Sequence, residues 1–257
     1  MASNRASQRA FWGVSALLFA AGAALTVHEC ASMSEEMSGG MPMPGGWTMS
    51  MAWMRMPGQT WSGAAASFLA MWVVMMVTMM LPALVPMLWR YRETGARLGG
   101  LTALVGCGYF FVWTVLGLAA FPVGVALASL EMRQPALARA VPVAAGLAVL
   151  LAGAFQLTAW QARSLACCRV PGHDLPAGAG TAWRHGVRLG LHCGRCCGNL
   201  MVIALVLGIM DLRVMAVVTA AITAERLAPA GAHVDRALGA VAVGTGLLLI
   251  ARAAGLG

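Results

Sequence analysis

Six apolar runs follow one another along the chain, each about 18 residues or longer, and short polar segments separate them. A run of about 20 apolar residues is long enough to cross a bilayer as a helix. The pattern predicts an all-α fold, a polytopic bundle of about six transmembrane helices embedded in a lipid bilayer. The predicted spans cover roughly residues 10–27, 63–89, 100–128, 138–161, 197–224 and 238–255.

The composition agrees with this prediction. Hydrophobic residues make up 60% of the chain and charged residues only 10%, with a mean hydropathy of +0.78. A soluble domain of 257 residues would expose too much of this apolar surface to water. The predicted class is therefore an integral, multi-pass membrane protein.

Three segments divide the chain. We expect residues 1–27 to form a first span or signal-anchor and residues 28–62 a methionine-rich extracytoplasmic loop. Residues 63–257 would then form a bundle of about five helices, with a Cys/His-rich cytoplasmic loop at 161–198. Arginine precedes the first span and small residues close it at 21–24, so cleavage as a signal peptide and retention as an anchor both stay open.

Arginine supplies all 17 basic residues, and its distribution predicts the orientation. Eleven arginines lie at the termini and in alternate loops that would share one side, against five on the other side. Cytoplasmic loops are rich in basic residues, so both termini are predicted to be cytoplasmic, in a bacterial inner membrane. Basic loops facing anionic lipid also account for the net charge of +8, which leaves no need for a nucleic-acid partner.

A cluster of thiols and imidazoles lies directly before the fifth apolar run. The segment from Arg184 to Gly198 reads RHGVRLGLHCGRCCG, and on a helix its His and Cys side chains fall within an arc of about 140°. Thiolate and imidazole are ligands for soft or borderline metals. The candidate ligands are His185, His192, Cys193, Cys196 and Cys197.

Two more cysteines, Cys167 and Cys168, close the fourth run on the same predicted side. Neighbouring cysteines do not readily bridge each other and cytoplasmic thiols stay reduced, so structural disulfides are not expected. Metal binding, thiol redox chemistry and plain packing of small apolar side chains all remain open for the whole thiol set.

Glycine recurs at every fourth residue of the same segment. Because glycine is costly inside a helix, a regular row of it predicts the close approach of another helix. The row comprises Gly186, Gly190, Gly194 and Gly198.

Methionine is concentrated in two adjoining places. The predicted loop from His28 to Gln59 holds eight methionines, and the second span continues with a stripe that includes Met71. Thioethers are soft donors that prefer Cu(I), so the loop could capture copper and the stripe relay it inward. Flexible loop composition and packing filler explain the same residues without copper. The stripe residues that we take as candidate ligands are Met75, Met76, Met79 and Met80.

Asp211 lies near the middle of the fifth run, with Arg213 two residues further on. A carboxylate at membrane depth is costly unless it is paired or faces a polar cavity, so Asp211 is a candidate functional residue on a metal path. We expect it either to face an internal polar path with Met201 and Met215, or to form an ion pair that only fixes packing.

Motifs for the common energy sources and catalytic nucleophiles are missing from the sequence. There is no phosphate-binding Walker loop, no Gly-rich dinucleotide motif and no nucleophile elbow. ATP-driven transport by this chain alone is therefore not expected, and a binding protein is favoured over an enzyme.

Three motifs in order resemble a known family. MMVTMMLPALVPM, FQLTAWQARSLACCRVP and CGRCCGNLMVIALVLGIMDLRVMAVVTAAITAERLAP are similar to segments of the uncharacterised family of predicted metal-binding integral membrane proteins, over residues from about 65 to 230. The resemblance departs at Gly198, where the family has Trp, and at Asp211, where it has Asn. The positions it implies are Met79, Met80, Pro82, Gln156, Thr158, Cys168, Arg169, Cys193, Cys196, Cys197, Met201, Met210 and Glu225.

The leading functional hypothesis is a membrane protein that binds a soft metal, Cu(I) first, and moves it across the membrane or hands it to a membrane metalloenzyme. Another soft or borderline metal would suit the same donors. One alternative is a thiol oxidoreductase that carries electrons across the membrane through its cysteines. A second is a non-catalytic subunit that docks on other membrane subunits through its glycine row.

Overall fold

A computed structural model describes residues 2–37, 41–56, 58–93, 99–169, 178–228 and 233–255. Side chains are described for these residues except 2–6, 32–37, 51, 93 and 166–169. The described chain is almost entirely helical, which confirms the all-α fold class. Its elements are α1 (Ala2–Met37), β1 (Met41–Met43), β2 (Trp47–Met49), a 3₁₀ turn (Met51–Trp53), α2 (Trp61–Glu93), α3 (Gly99–Arg133), α4 (Pro135–Gln156), α5 (Ala159–Arg169), α6 (Ala179–Gly208), α7 (Leu212–Leu227) and α8 (Val234–Ala253).

Six of these helices are long and apolar enough to cross a membrane, as predicted. They are α1, α2, α3, α4, α6 and α8. Large apolar side chains such as Leu17, Leu118 and Val241 are more than half exposed on their outer surfaces, which is what a lipid-facing surface requires. The multi-pass architecture is therefore confirmed.

The predicted span at 197–224 is wrong, because the chain breaks in its middle. Helix α6 ends at Gly208, whose φ of +126° is readily adopted only by glycine. Helix α7 then begins with Asp211 as its N-cap, and the carboxylate accepts hydrogen bonds from the backbone N–H groups of Arg213 (2.7 Å) and Val214 (3.3 Å). Hydropathy did not reveal this break, since Ile209 and Met210 inside it are apolar.

The expected cytoplasmic loop at 161–198 is also mostly helix. Helix α5 covers its beginning and α6 covers its second half from Ala179. The thiols at 193–197 therefore lie within a candidate membrane span instead of in a loop at the membrane surface. The glycines and arginines of this segment lower its mean hydropathy, so it was predicted as a loop. Its buried face is nevertheless continuous with the apolar half of α6.

A short hairpin caps one end of the bundle, which we call the hairpin end. Strands β1 and β2 pair antiparallel with Met41 opposite Met49, and Met49 is 2% exposed. The Trp47 indole N–H donates to the Ala138 carbonyl at 2.8 Å, which fixes the hairpin to the first turn of α4. Part of the predicted methionine-rich loop is thus folded onto the bundle.

Two of the four glycines in the predicted row bring α6 against α3. A Cβ added at Gly186 would lie 2.2 Å from the Val105 carbonyl oxygen, and one at Gly190 would lie 2.9 Å from the Tyr109 carbonyl oxygen. Added at Gly198, it would meet nothing within 4 Å. The predicted close approach is confirmed at the first two positions, where only glycine fits.

The helix directions place the ends of the chain apart. Phe11 of α1 packs on Trp89 near the end of α2, with ring centroids 5.4 Å apart, so the N-terminal part of α1 lies away from the hairpin. Helix α8 runs antiparallel to α4, because Gly146 faces Ile250 and Gly153 faces Val243. Since α4 starts at the hairpin, α8 finishes there. The start of α1 and the end of α8 thus lie at opposite ends of the bundle, because α7 carries the chain back after α6, and the cytoplasmic location of both termini stays a prediction.

We predict that the C-terminus lies on the opposite side of the membrane from the segment after α2. Reporter fusions made after Glu93 and after the last residue would test this, with alkaline phosphatase active only outside and green fluorescent protein fluorescent only in the cytoplasm. The two fusion points should give opposite reporters. The same reporter at both points would contradict this chain path, because it would mean an even number of membrane crossings between the two fusion points.

We also predict that Gly186→Ala destabilises the folded bundle, because a methyl group at 2.2 Å from a backbone oxygen forces α3 and α6 apart. The loss should be roughly 1–3 kcal/mol, measured as a fall in the melting temperature of the detergent-purified protein. Gly198→Ala is the matched control, and it should be neutral or slightly stabilising because the added methyl group has free space. Equal melting temperatures for the two variants would contradict the assigned contact.

Candidate metal centre

Three sulfur atoms from two helices meet in the interior of the bundle. The Cys193 Sγ lies 3.8 Å from the Cys197 Sγ, one turn further along α6, and 3.9 Å from the Met80 Sδ of α2. The three residues are at most 1% exposed. We call Met80, Cys193 and Cys197 the sulfur cluster.

The two sulfur–sulfur separations around Cys193 resemble those between sulfur ligands of one metal ion. With metal–sulfur bonds of about 2.3 Å, sulfur ligands are about 3.8 Å apart in tetrahedral and about 4.0 Å apart in trigonal coordination. Both measured separations fall in that range. Among the described residues, His, Cys, Asp and Glu form no group of three or more that could hold a metal. The third sulfur atom at this place belongs to the thioether of Met80.

Tyr109 of α3 lies beside Cys193. Its hydroxyl group donates a hydrogen bond of 2.9 Å to the Cys193 Sγ, and the residue is fully buried. A hydrogen bond to sulfur stabilises the thiolate more than the thiol, because the thiolate is the stronger acceptor. No sequence pattern predicted this contact, because Tyr109 lies in an ordinary apolar run.

Helix α7 brings a positive charge to the part of α2 that follows Met80. The Arg226 Nη1 lies 3.7 Å from the Met87 Sδ of α2. Met87 follows Met80 by seven residues and so lies on the same face of α2. Sequence reasoning missed Arg226, because it assigned this arginine to a loop.

The methionine stripe of α2 is buried as a whole. Its four candidate ligands, with exposures of 0–2%, belong to the hydrophobic core, and Met80 is the one whose sulfur contacts a cysteine. The other three therefore fill the core on the approach to the sulfur cluster. They are Met75, Met76 and Met79.

Cys196 points to a different neighbour. It is disulfide-bonded, its Sγ lies 3.3 Å from the Ser164 carbonyl oxygen of α5, and the Gln161 side-chain amide donates to its carbonyl oxygen at 2.6 Å. Successive helix positions differ by about 100°, so Cys196 cannot face α2 together with Cys193 and Cys197. The expectation that no disulfides form is therefore wrong for Cys196, and joint metal binding by Cys193, Cys196 and Cys197 stays a prediction.

Neither predicted histidine belongs to the sulfur cluster. His185 is half-buried and stacks on Tyr91, with ring centroids 5.6 Å apart, and His192 is exposed. The side chains of Cys167 and Cys168 lie outside the described part of the structure. The two histidines thus lie at one edge of the predicted arc, where the side chains of α6 become exposed.

Asp211 is not at membrane depth in the middle of a span. It is exposed, caps α7 at the end of α6, and acts electrostatically on Cys30 at the end of α1. Its carboxylate is bound to backbone N–H groups instead of the Arg213 side chain. Met201 and Met215, with which Asp211 was expected to share an internal path, are buried, whereas Asp211 is exposed.

A buried chain of polar side chains runs beside the sulfur cluster. The Asn199 amide donates to the Gln156 side-chain oxygen, and the Gln156 amide donates to the Glu225 carboxylate. Gln156 and Glu225 are at most 2% exposed, and Glu225 acts electrostatically on Cys197. The resemblance implied Gln156 and Glu225, whereas Asn199 was missed. Each of these groups needs a partner in this interior, because an unpaired buried polar group is costly.

A comparison with protein families identifies the chain's relatives. The PpoB2 family, described as copper chaperone, matches residues 69–249, which is more than half of the chain. The chain belongs to this copper chaperone family. The expected metal-related family and the copper-related role are confirmed at this level. No curated protein and no solved structure matched the chain.

Proposed function

We propose that this copper chaperone family member holds Cu(I) at Met80, Cys193 and Cys197 and passes it to a membrane metalloenzyme during assembly. The observation that supports this most strongly is the pair of sulfur–sulfur separations of 3.8 and 3.9 Å at full burial. Thiolate and thioether donors select Cu(I) over harder ions. In this proposal copper is the cargo of the protein.

The surroundings of the sulfur cluster suit an ion that is protected while it is bound and can still be transferred to another protein. Burial keeps water and oxidants away from the thiolates, which are the reactive form of cysteine. A thioether is a weaker donor than a thiolate, so exchange at Met80 would open one coordination position to an incoming ligand of the recipient. The two cysteines, four residues apart on one helix, would hold the ion until then.

The methionines supply a proposed route into the site. The hairpin end carries Met41, Met43 and Met49, and α2 continues with buried methionines down to Met80. Thioether sulfur binds Cu(I) without a proton to lose, so such a route would work at any pH. Copper would enter from the hairpin end, on the extracytoplasmic side of a bacterial inner membrane.

One observation favours a second function. Cys196 is disulfide-bonded, while Cys193 and Cys197 beside it are free thiols. Neighbouring thiols and disulfides are the components of thiol–disulfide exchange. A thiol oxidoreductase is therefore the alternative, in which the cysteines carry electrons and copper is not bound.

We predict that protein purified anaerobically with Cu(I) retains about one ion per chain, and that the double variant Cys193→Ser, Cys197→Ser loses it, because hydroxyl groups are hard donors. Met80→Leu should keep the packing volume and weaken binding to a smaller degree, roughly tenfold. Copper is measured after competition with a chromogenic Cu(I) chelator. Cys107→Ser is the matched control, since Cys107 is exposed and outside the sulfur cluster.

Unchanged copper content in the double variant would refute the site. Absence of copper from the unaltered protein, together with alkylation of Cys193 and Cys197 that depends on added oxidant, would support the oxidoreductase instead.

A further inference from the structure

The hairpin carries three methionines on one face. Strands β1 and β2 pair with Met41 opposite Met49 and with Met43 opposite Trp47. Residues directly opposite each other in an antiparallel pair lie on the same face of the sheet, and so do residues two apart on one strand. The register therefore places all four of these side chains on one face.

This face is turned toward the bundle and is open at one edge. Met49 is 2% exposed, and Trp47 is hydrogen-bonded to the first turn of α4. Pro42 and Thr48, which lie on the other face, are exposed. Met41 is 38% exposed, so the group of thioethers is covered at one end and accessible at the other. An ion can reach donors that are arranged in this way.

The three thioethers are close enough to bind one ion. In an opposite pair such as Met41 and Met49 the Cβ atoms are about 5 Å apart, and those of Met41 and Met43 are about 7 Å apart along the strand. Methionine side chains are long and unbranched, so their sulfur atoms can approach to the separation of about 4 Å that trigonal sulfur coordination requires. The turn fixes the register, because the Gly46 N–H donates to the Met43 carbonyl at 3.2 Å.

The side chains of the hairpin select the kind of ion. Residues 41–49 read MPMPGGWTM, with no charged side chain and no imidazole. Hard divalent ions prefer carboxylate and carbonyl ligands, whereas thioethers prefer Cu(I) and other soft ions. The indole ring of Trp47 on the same face is compatible with a cation, since the face of an aromatic ring attracts positive charge.

We propose that Met41, Met43 and Met49 form a second metal site, a three-thioether site that captures a monovalent soft cation and loads the sulfur cluster. The loading role rests on the proposed function. Neutral thioethers hold such an ion less tightly than two thiolates do. The ion therefore moves to a tighter site when it passes from the hairpin to Cys193 and Cys197.

Titration with Ag(I) tests this site, because Ag(I) is stable in air and has the charge and the soft character of Cu(I). The full-length protein in detergent is labelled with ¹³C-methyl methionine, and the hairpin resonances are assigned with single Met→Leu variants. We expect two equivalents to bind, the second at least about tenfold more weakly than the first. The second equivalent should shift the methyl resonances of Met41, Met43 and Met49.

The triple variant Met41→Leu, Met43→Leu, Met49→Leu should keep the first equivalent and lose the second, since leucine fills a similar volume without a donor atom. Met41→Leu alone changes a partly exposed side chain and should already weaken the second equivalent. The double variant Met54→Leu, Met56→Leu is the matched control. It removes two methionines that follow the hairpin and should leave both equivalents unchanged.

A second equivalent that persists in the triple variant overturns the inference. Equal weakening in the triple variant and in the control also overturns it, because the whole methionine-rich segment would then bind Ag(I). A single equivalent that is lost in Cys193→Ser, Cys197→Ser removes the hairpin site and leaves the sulfur cluster. If that cysteine variant keeps both equivalents, the proposed function fails at the sulfur cluster, while the triple variant still decides the hairpin site.

Discussion

The close approach of α3 and α6 at Gly186 and Gly190 is the constraint on which the site depends. Without a side chain at either glycine, the backbone of α6 lies directly on the carbonyl groups of Val105 and Tyr109. One turn after Gly190 the helix presents Cys193, and the same contact holds the Tyr109 hydroxyl group 2.9 Å from its sulfur. A bulkier residue at Gly186 or Gly190 would push α3 and α6 apart. It would separate the Tyr109 hydroxyl group from the Cys193 sulfur without changing either cysteine.

The chemistry of the interior follows from that contact. The Cys193 sulfur contacts Tyr109 of α3 on one side and the Met80 sulfur of α2 on another. Thiol and thioether sulfur atoms placed together away from water are the donors that the proposed Cu(I) site requires.

Hydropathy was sufficient for the class of fold and for most of the spans, because long apolar runs leave few alternatives in a bilayer. The break from Gly208 to Asp211 escaped it, since a glycine with positive φ and a side-chain cap occupy too few residues to lower a window average. That single break misplaced Asp211 and concealed α7. Because α7 was not predicted, the position of Glu225 and Arg226 on a separate helix was not predicted either.

The site was predictable only in part. The Cys-x-x-Cys-Cys spacing predicted a sulfur site. The methionine stripe included Met80, but no sequence feature distinguished it from Met75, Met76 and Met79. Which cysteine faces which neighbour depends on the rotation of α6 against α3, which is set by tertiary contacts. For this reason Cys196 joins α5 while Cys193 and Cys197 face α2.

X-ray absorption at the copper edge of the Cu(I)-loaded protein tests the central claim most directly, because it reports the ligand atoms themselves. The account predicts a first shell of about three sulfur atoms at about 2.3 Å, without nitrogen or oxygen. A shell dominated by nitrogen or oxygen would place copper at histidines or carboxylates and contradict the account.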